Sequence, residues 1–326
     1  MSSLFPDAKN FGTVSPKTGR YDMPLLPGEQ GVKSGGDWVP RGMRRTTNLI
    51  GAISESKALG IWLLEQALIG LVRQPSLYEE LTMLVHNGDR AEVNWLALRD
   101  HPEVRKELSG TWKNEDDCIA GRARHAAGAN EARQAGTNRH SAWEVRGKTG
   151  ELIGTPEMKE QVLRLEALLA DAGLMRVPGL SERVIRNTTL NCAGKFDDIL
   201  MELATGKLLM ADLKTKRRPF FSWLEVDAQL ATYARAEWML SEDCQGYEPG
   251  PLHHVDLTRG VVLHVPSDGT PAFLRRAHLD RGWEIAQLCA RVLDERAYGK
   301  GAERQALSAW PGEILPEAVD ISTDTQ

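Results

Sequence analysis

The chain has 326 residues, 41% of them apolar, and a formal charge of −5. That length and composition suit one large globular domain or two ordinary ones; they exclude a disordered tail or a coiled rod and speak against a surface that wraps DNA over its whole extent, while leaving room for a basic groove or a metal-lined cleft. No apolar run approaches the roughly 20 residues of a membrane-spanning helix, and the opening Met1-Ser2-Ser3-Leu4-Phe5-Pro6 lacks the basic-then-apolar order of a secretion signal, so a cytoplasmic location without membrane contact is expected.

In chain order, residues 1–44 are rich in Gly, Pro and Ser without a sustained period and read as a flexible arm carrying Lys33, Arg41 and Arg44. Residues 45–135 read as a helical region. Apolar residues from Leu49 to Leu71 recur at three- and four-residue steps, predicting a helix from Thr47 to Arg73 capped by Thr46 or Thr47. Further helices are expected at about Leu77–His86, Ala91–Leu98 and Asn114–Val145, the last with a break near Gly128 or Gly136.

Residues 136–300 have a different texture. A helix at about Pro156–Ala172 leads into short apolar runs punctuated by turn signals, predicting strands at Arg183–Leu190, Ala193–Met201 and Lys207–Lys214. A helix at Trp223–Leu240, strands near Gly260–Val265 and Ala272–Ala277 and a helix at Arg281–Ala297 complete an α/β region. Residues 301–326 read as an acidic tail. The cysteines Cys118, Cys192, Cys244 and Cys289 are scattered, with no C-x-x-C pair of the kind that chelates zinc or cycles redox states.

The stretch from Gly194 to Thr215 carries the chemistry. If Leu203-Ala204-Thr205-Gly206 is a four-residue loop closed by Gly206, then Glu202 pairs with Lys207 and, counting outward, Asp197 faces Asp212. Side chains alternate along a strand, so Lys214 projects on the same side as Asp212. Opposed carboxylates without compensation destabilise a sheet, and a hard cation such as Mg²⁺, which takes carboxylate and water oxygens, is the natural compensation. A three-residue loop, Ala204-Thr205-Gly206, would instead bring Asp198 opposite Asp212, and periodicity alone does not choose between them. The basic run Lys216, Arg217 and Arg218 is a candidate for contacts to DNA phosphates. Phe220, Phe221 and Trp223 behind it are expected to pack under the following helix.

Four segments in order, Gly136-Thr137-Asn138-Arg139-His140, Gly194-Lys195-Phe196-Asp197, Asp212-Leu213-Lys214-Thr215 and Gln229-Leu230-Ala231-Thr232-Tyr233, resemble the PD-(D/E)XK nuclease superfamily. Within it they resemble the RecB-like exonuclease branch, with its phage and CRISPR-associated members. The resemblance implies a restriction-endonuclease-like core, a mixed central sheet flanked by helices, behind a helical N-terminal region. It implies a DNA nuclease, by preference an exonuclease, that uses Mg²⁺ or Mn²⁺, whether in phage replication, recombination, repair or defence. It favours Asp197 over Asp198. It makes His140, Asp197, Asp212 and the backbone carbonyl of Leu213 metal ligands, gives Lys214 the nucleophilic water, and has Gln229 and Tyr233 position Lys214 or touch DNA. Glu182 stands where the family often has an accessory acid. Only Cys244 and Cys289 follow the catalytic helix, so the iron–sulfur cluster of some relatives is not expected here. Gly147-Lys148-Thr149 lacks the upstream glycine of a phosphate-binding loop, so a helicase or recombination partner would be a separate chain. Two rivals remain: a nuclease-fold module that binds DNA or protein without cutting, and a structural phage component.

Overall fold

The computed structural model describes residues 11–15, 20–29, 32–34, 37–39, 42–53, 56–87, 118–215, 223–244, 246–266 and 270–309. Among these the chain is α/β, with two mixed five-stranded sheets flanked by helices. A small hairpin, β1 (Val32–Ser34) and β2 (Asp37–Val39), precedes β3 (Arg44–Arg45), α1 (Thr46–Ile50), α2 (Ser56–Arg73), α3 (Pro75–Asn87), α4 (Ile119–Ala126), α5 (Ala129–Thr149) and α6 (Pro156–Asp171). Then follow β4 (Leu174–Arg176), β5 (Val184–Asn187), β6 (Cys192–Lys195), β7 (Asp198–Glu202), β8 (Leu208–Lys214), α7 (Trp223–Ala234), β9 (Trp238–Leu240), β10 (Tyr247–Pro249), β11 (Val255–His264), β12 (Phe273–His278) and α8 (Leu279–Ala309). No helix among the described residues is long and apolar enough to cross a membrane.

One sheet runs β10-β9-β5-β6-β3 and the other β12-β11-β8-β7-β4. The second positions the candidate site. Its central strand, β8, reads Leu-Leu-Met-Ala-Asp-Leu-Lys and is buried on both sides, the pattern of a strand covered by helices on each face. Leu209, Ala211 and Leu213 face one layer with Ala142 and Trp143 of α5 and Val162, Leu165 and Leu169 of α6. Met210 faces the other with Val226, Leu230, Ala231 and Tyr233 of α7, a core that also takes Ile185 and Phe196 from beside the first sheet. Parity therefore sends Asp212 and Lys214 toward α7.

Several elements sit as the sequence predicts. Thr155 caps α6, its Oγ1 accepting from the Met158 N–H at 3.3 Å, with Pro156 in the first turn. The long helix expected at Asn114–Val145 is interrupted after Ala126, with Gly128 preceding α5.

Other elements differ. The run Ala193–Met201, read as one strand, is two: β6 pairs with β5 in the first sheet, and β7 pairs with β8 in the second. The expected single central sheet is thus a pair of sheets. The helix expected to Leu240 stops at Ala234, and Trp238–Leu240 is β9, which pairs with β5. The helix from Thr47 is broken into α1 and α2, and α8 continues through Ala309 into the region read as a tail. The expected N-terminal arm is tied down in its described parts. Tyr21 bridges to both Val14 and Met43, and Met23 and Met43 are buried with Ala193 and Leu240, because sparse apolar residues without a period still find a core. The helix expected at Ala91–Leu98 and the run Lys216, Arg217, Arg218 lie outside the described residues, as do Phe220 and Phe221.

Candidate metal centre

The β7–β8 hairpin has the register of the four-residue loop. Asp198 pairs with Ala211 and Met201 with Leu208, while the Glu202 N–H donates to the Lys207 carbonyl at 2.8 Å. Gly206 closes the turn at φ +69°, a conformation glycine adopts without penalty. Continuing the register one step places Asp197 opposite Asp212. Asp197 itself lies in the break between β6 and β7, where no ladder bond occupies it, and its Oδ2 instead accepts from the Leu213 N–H at 2.6 Å. The Leu213 backbone, whose carbonyl is an expected ligand, meets Asp197 through this N–H.

Asp212 and Lys214 face α7 together. Asp212 is 2% exposed, and its Oδ2 lies 2.6 Å from Lys214 Nζ as an ion pair. Beyond that ammonium the buried oxygen has no hydrogen-bond donor among the described residues. Lys214 Nζ donates to Gln229 Oε1 at 3.3 Å, and Gln229 Nε2 donates to the Tyr233 hydroxyl at 2.9 Å. The two α7 residues are four apart and share a helical face. Gly194 makes room for this face: a Cβ there would come within 2.6 Å of the Tyr233 ring and 2.7 Å of Thr46 Oγ1.

Burial raises the Asp212 carboxyl to about 6, with Lys214 opposing the shift and Asp197 adding to it. Burial also acts to raise Asp197, but His140, Lys214 and the Leu213 N–H together hold it below the usual carboxylate range. Burial acts to lower Lys214, yet Asp212 and Asp197 raise it overall, so the ammonium keeps its proton at neutral pH. The imidazole of His140 is likewise raised, the neighbouring Asp197 outweighing its burial.

On the other side of Asp197, His140 Nδ1 of α5 lies 3.5 Å from Asp197 Oδ2. Together with Glu182 they form a group whose ligand atoms all lie within 4.8 Å of one another. Asp212 stands beside this trio rather than in it, its carboxylate turned to Lys214. Glu182, the acid with the least support in the sequence, is therefore nearer to Asp197 and His140 than sequence order suggests. It sits at φ +55°, an uncommon conformation for a residue with a side chain and one that recurs at functional sites. Its carboxylate meets Lys195 Nζ, its N–H donates to the Asp197 carbonyl at 3.1 Å, and burial raises its carboxyl with Asp197 adding to the shift. Sequence reasoning gave Lys195 no role; its place in the Gly194-Lys195-Phe196-Asp197 run was the available signal.

Asp198 has a separate fate. It points to the α5 side of the sheet, fully buried, with Arg176 Nε 2.5 Å from its Oδ2. Trp143 Nε1 donates to Oδ2 at 3.1 Å and the Ser181 hydroxyl to Oδ1 at 2.9 Å.

One imidazole, two clustered carboxylates and a third buried carboxylate with an unsatisfied oxygen fit a hard divalent ion, since such ions take mostly oxygen ligands. The members come from α5, the loop before β5, the β6–β7 break and β8. No known protein family matches the chain, and no curated protein matches it.

Proposed function

We propose that the chain is a divalent-metal-dependent deoxyribonuclease of the PD-(D/E)XK type, with a restriction-endonuclease-like core, hydrolysing DNA phosphodiesters with Mg²⁺ or Mn²⁺. The observation that carries this reading is the buried Oδ2 of Asp212, which has the Lys214 ammonium and no further donor among the described residues, beside the clustered His140, Glu182 and Asp197. Carboxylates gathered this closely in a protein interior are costly, and a bound cation offsets that cost. Exonuclease action rests on the likeness of Gln229 and Tyr233 to the RecB-like branch.

His140, Glu182, Asp197 and Asp212 would hold the ion, which when bound adds positive charge against the phosphodiester oxygens and eases deprotonation of an attacking water. Asp197, held ionised by its neighbours, offers an oxygen without first losing a proton. Ligation through the His140 imidazole needs its neutral form and so competes with protonation, which Asp197 favours. Lys214 keeps its proton at Nζ and so acts as a fixed positive charge and hydrogen-bond donor toward the attacking water or a phosphate oxygen. Gln229 accepts from Lys214 and donates to Tyr233, which holds the ammonium at the mouth of the hairpin.

The test is incubation of the purified protein with linear single- and double-stranded DNA, open-ended or end-blocked, in Mg²⁺, Mn²⁺ or chelator, beside Asp212→Ala and Lys214→Ala variants. Metal-dependent cleavage lost in both variants is expected. Unchanged cleavage in both rejects the site, and DNA binding without cleavage under any metal favours the non-cutting module.

A further inference from the structure

We propose that a buried ring of Trp143, Arg176, Ser181 and Asp198 is the positioning frame of the candidate metal group, an inference that rests on the metal-site reading above. Every link of the ring is direct. Arg176 lies against Asp198 at 2.5 Å and donates to the Ser181 hydroxyl at 3.1 Å and to the Trp143 carbonyl at 2.8 Å. Its guanidinium carbon stacks 4.0 Å from the centre of the Trp143 ring. Ser181 and Trp143 in turn donate to the two oxygens of Asp198, at 2.9 and 3.1 Å.

Three of the four members each adjoin one candidate ligand, and the fourth, Arg176, touches all three. Asp198 follows Asp197, Ser181 precedes Glu182, and Trp143 lies one helical turn beyond His140. Ser181 and Asp198 turn their side chains to Arg176, whereas the adjoining Glu182 turns to Lys195 and Asp197 to His140 and the Leu213 N–H. Glu182 and Asp197 both lie outside the strands, so ladder hydrogen bonds do not fix their side chains. The ring supplies that constraint from behind, joining α5, the loop at 177–183 and the start of β7 through one guanidinium. Ligands of a metal are commonly oriented by such outer partners, whose removal weakens binding by about 10- to 100-fold.

The ring residues are positioning residues, and the experiment measures Mn²⁺ affinity by calorimetry and the paramagnetic resonance spectrum of bound Mn²⁺ on the full chain. The variants are Ser181→Ala, Ser181→Thr and Asp198→Asn. Asn187→Ala is the comparator, because Asn187 is equally buried and hydrogen-bonded to the Thr232 and Arg235 carbonyls but touches no ring member. Ser181→Ala is expected to weaken Mn²⁺ binding about tenfold or more and to broaden the spectrum. Ser181→Thr, which keeps the hydroxyl, is expected to restore both, and Asn187→Ala to lower thermal stability with affinity unchanged. Affinity in Ser181→Ala equal to wild type, or reduced no more than in Asn187→Ala, overturns the frame and leaves the metal site standing. Failure of the wild-type chain to bind Mn²⁺ removes the metal reading and the frame with it. Should Asp198→Asn not fold, Ser181→Ala alone decides.

Discussion

Two buried acids on neighbouring strands, Asp198 and Asp212, sit on opposite faces of one sheet and meet opposite local fates. Burial raises each carboxyl to about 6. Asp198 nonetheless has Arg176, Ser181, Trp143 and the Ile199 N–H around its two oxygens. Asp212 Oδ2 has the Lys214 ammonium at 2.6 Å and, among the described residues, no further hydrogen-bond donor. The comparison separates cost from purpose. Desolvation is similar at the two positions, so it does not identify a site; the incomplete set of partners does. A saturated buried acid holds the fold together, whereas an unsaturated one beside other ligands waits for something to bind.

Breaking the saturated side should have the largest effect. Arg176→Met leaves Asp198 buried and uncompensated and is expected to lower unfolding free energy at neutral pH by about 3–5 kcal/mol in denaturant titrations. On the unsaturated side, Asp212→Asn or Lys214→Met is expected to cut metal-dependent DNA cleavage by about 100- to 1000-fold with the fold intact, measured as initial rates on linear DNA. A divalent ion at about 100 times its pH 7.5 dissociation constant is expected to add about 2.7 kcal/mol to stability at pH 7.5, and the same concentration less at pH 5. The pH dependence follows from Asp212, which must be ionised to ligate and is protonated below about 6. Melting curves at the two pH values check it.

The contrast sharpens further without metal. The Asp212 carboxyl is raised from its ordinary 3.8 to about 6, so the folded chain binds the extra proton between those pH values and loses stability as the pH rises through them. Asp212→Asn without divalent ions is therefore expected to stabilise the protein by about 1–3 kcal/mol at pH 7.5, with the gain vanishing near pH 4. Smallest of all, Gln229→Ala is expected to slow cleavage about tenfold, as for one lost hydrogen bond to a charged group. A rate equal to wild type would show that Lys214 is held without it.

The hairpin was legible because its signals are local: a glycine turn and a period of two put Asp212 and Lys214 on one face, while the choice of Asp197 over Asp198 needed the loop length that the register shows. The same holds for Gln229 and Tyr233, four apart on α7. The division of Ala193–Met201 between two sheets was not, since Lys195-Phe196-Asp197-Asp198 contains neither Gly nor Pro and each half is apolar enough for a buried strand. β9 was absorbed into the preceding helix because its three residues are too few to set a period. Helical periodicity found α2 but not its burial, for Ile61, Leu68 and Val72 are exposed among the described residues. The pairing of Glu182 with His140, and of Asp198 with Trp143 and Arg176, joins residues distant in sequence, and no spacing rule encodes such contacts.

The chain changes sheets at Phe196 and Asp197. Lys195 belongs to one layer and Asp198 to the other, so Asp197 is a rivet through a seam. Asp212 is anchored wholly within the second layer. Close-packed layers move as bodies rather than deforming continuously. Asp197 also reaches across that seam, its Oδ2 accepting from the Leu213 N–H of β8, so a slip of one sheet against the other would have to strain or break that hydrogen bond.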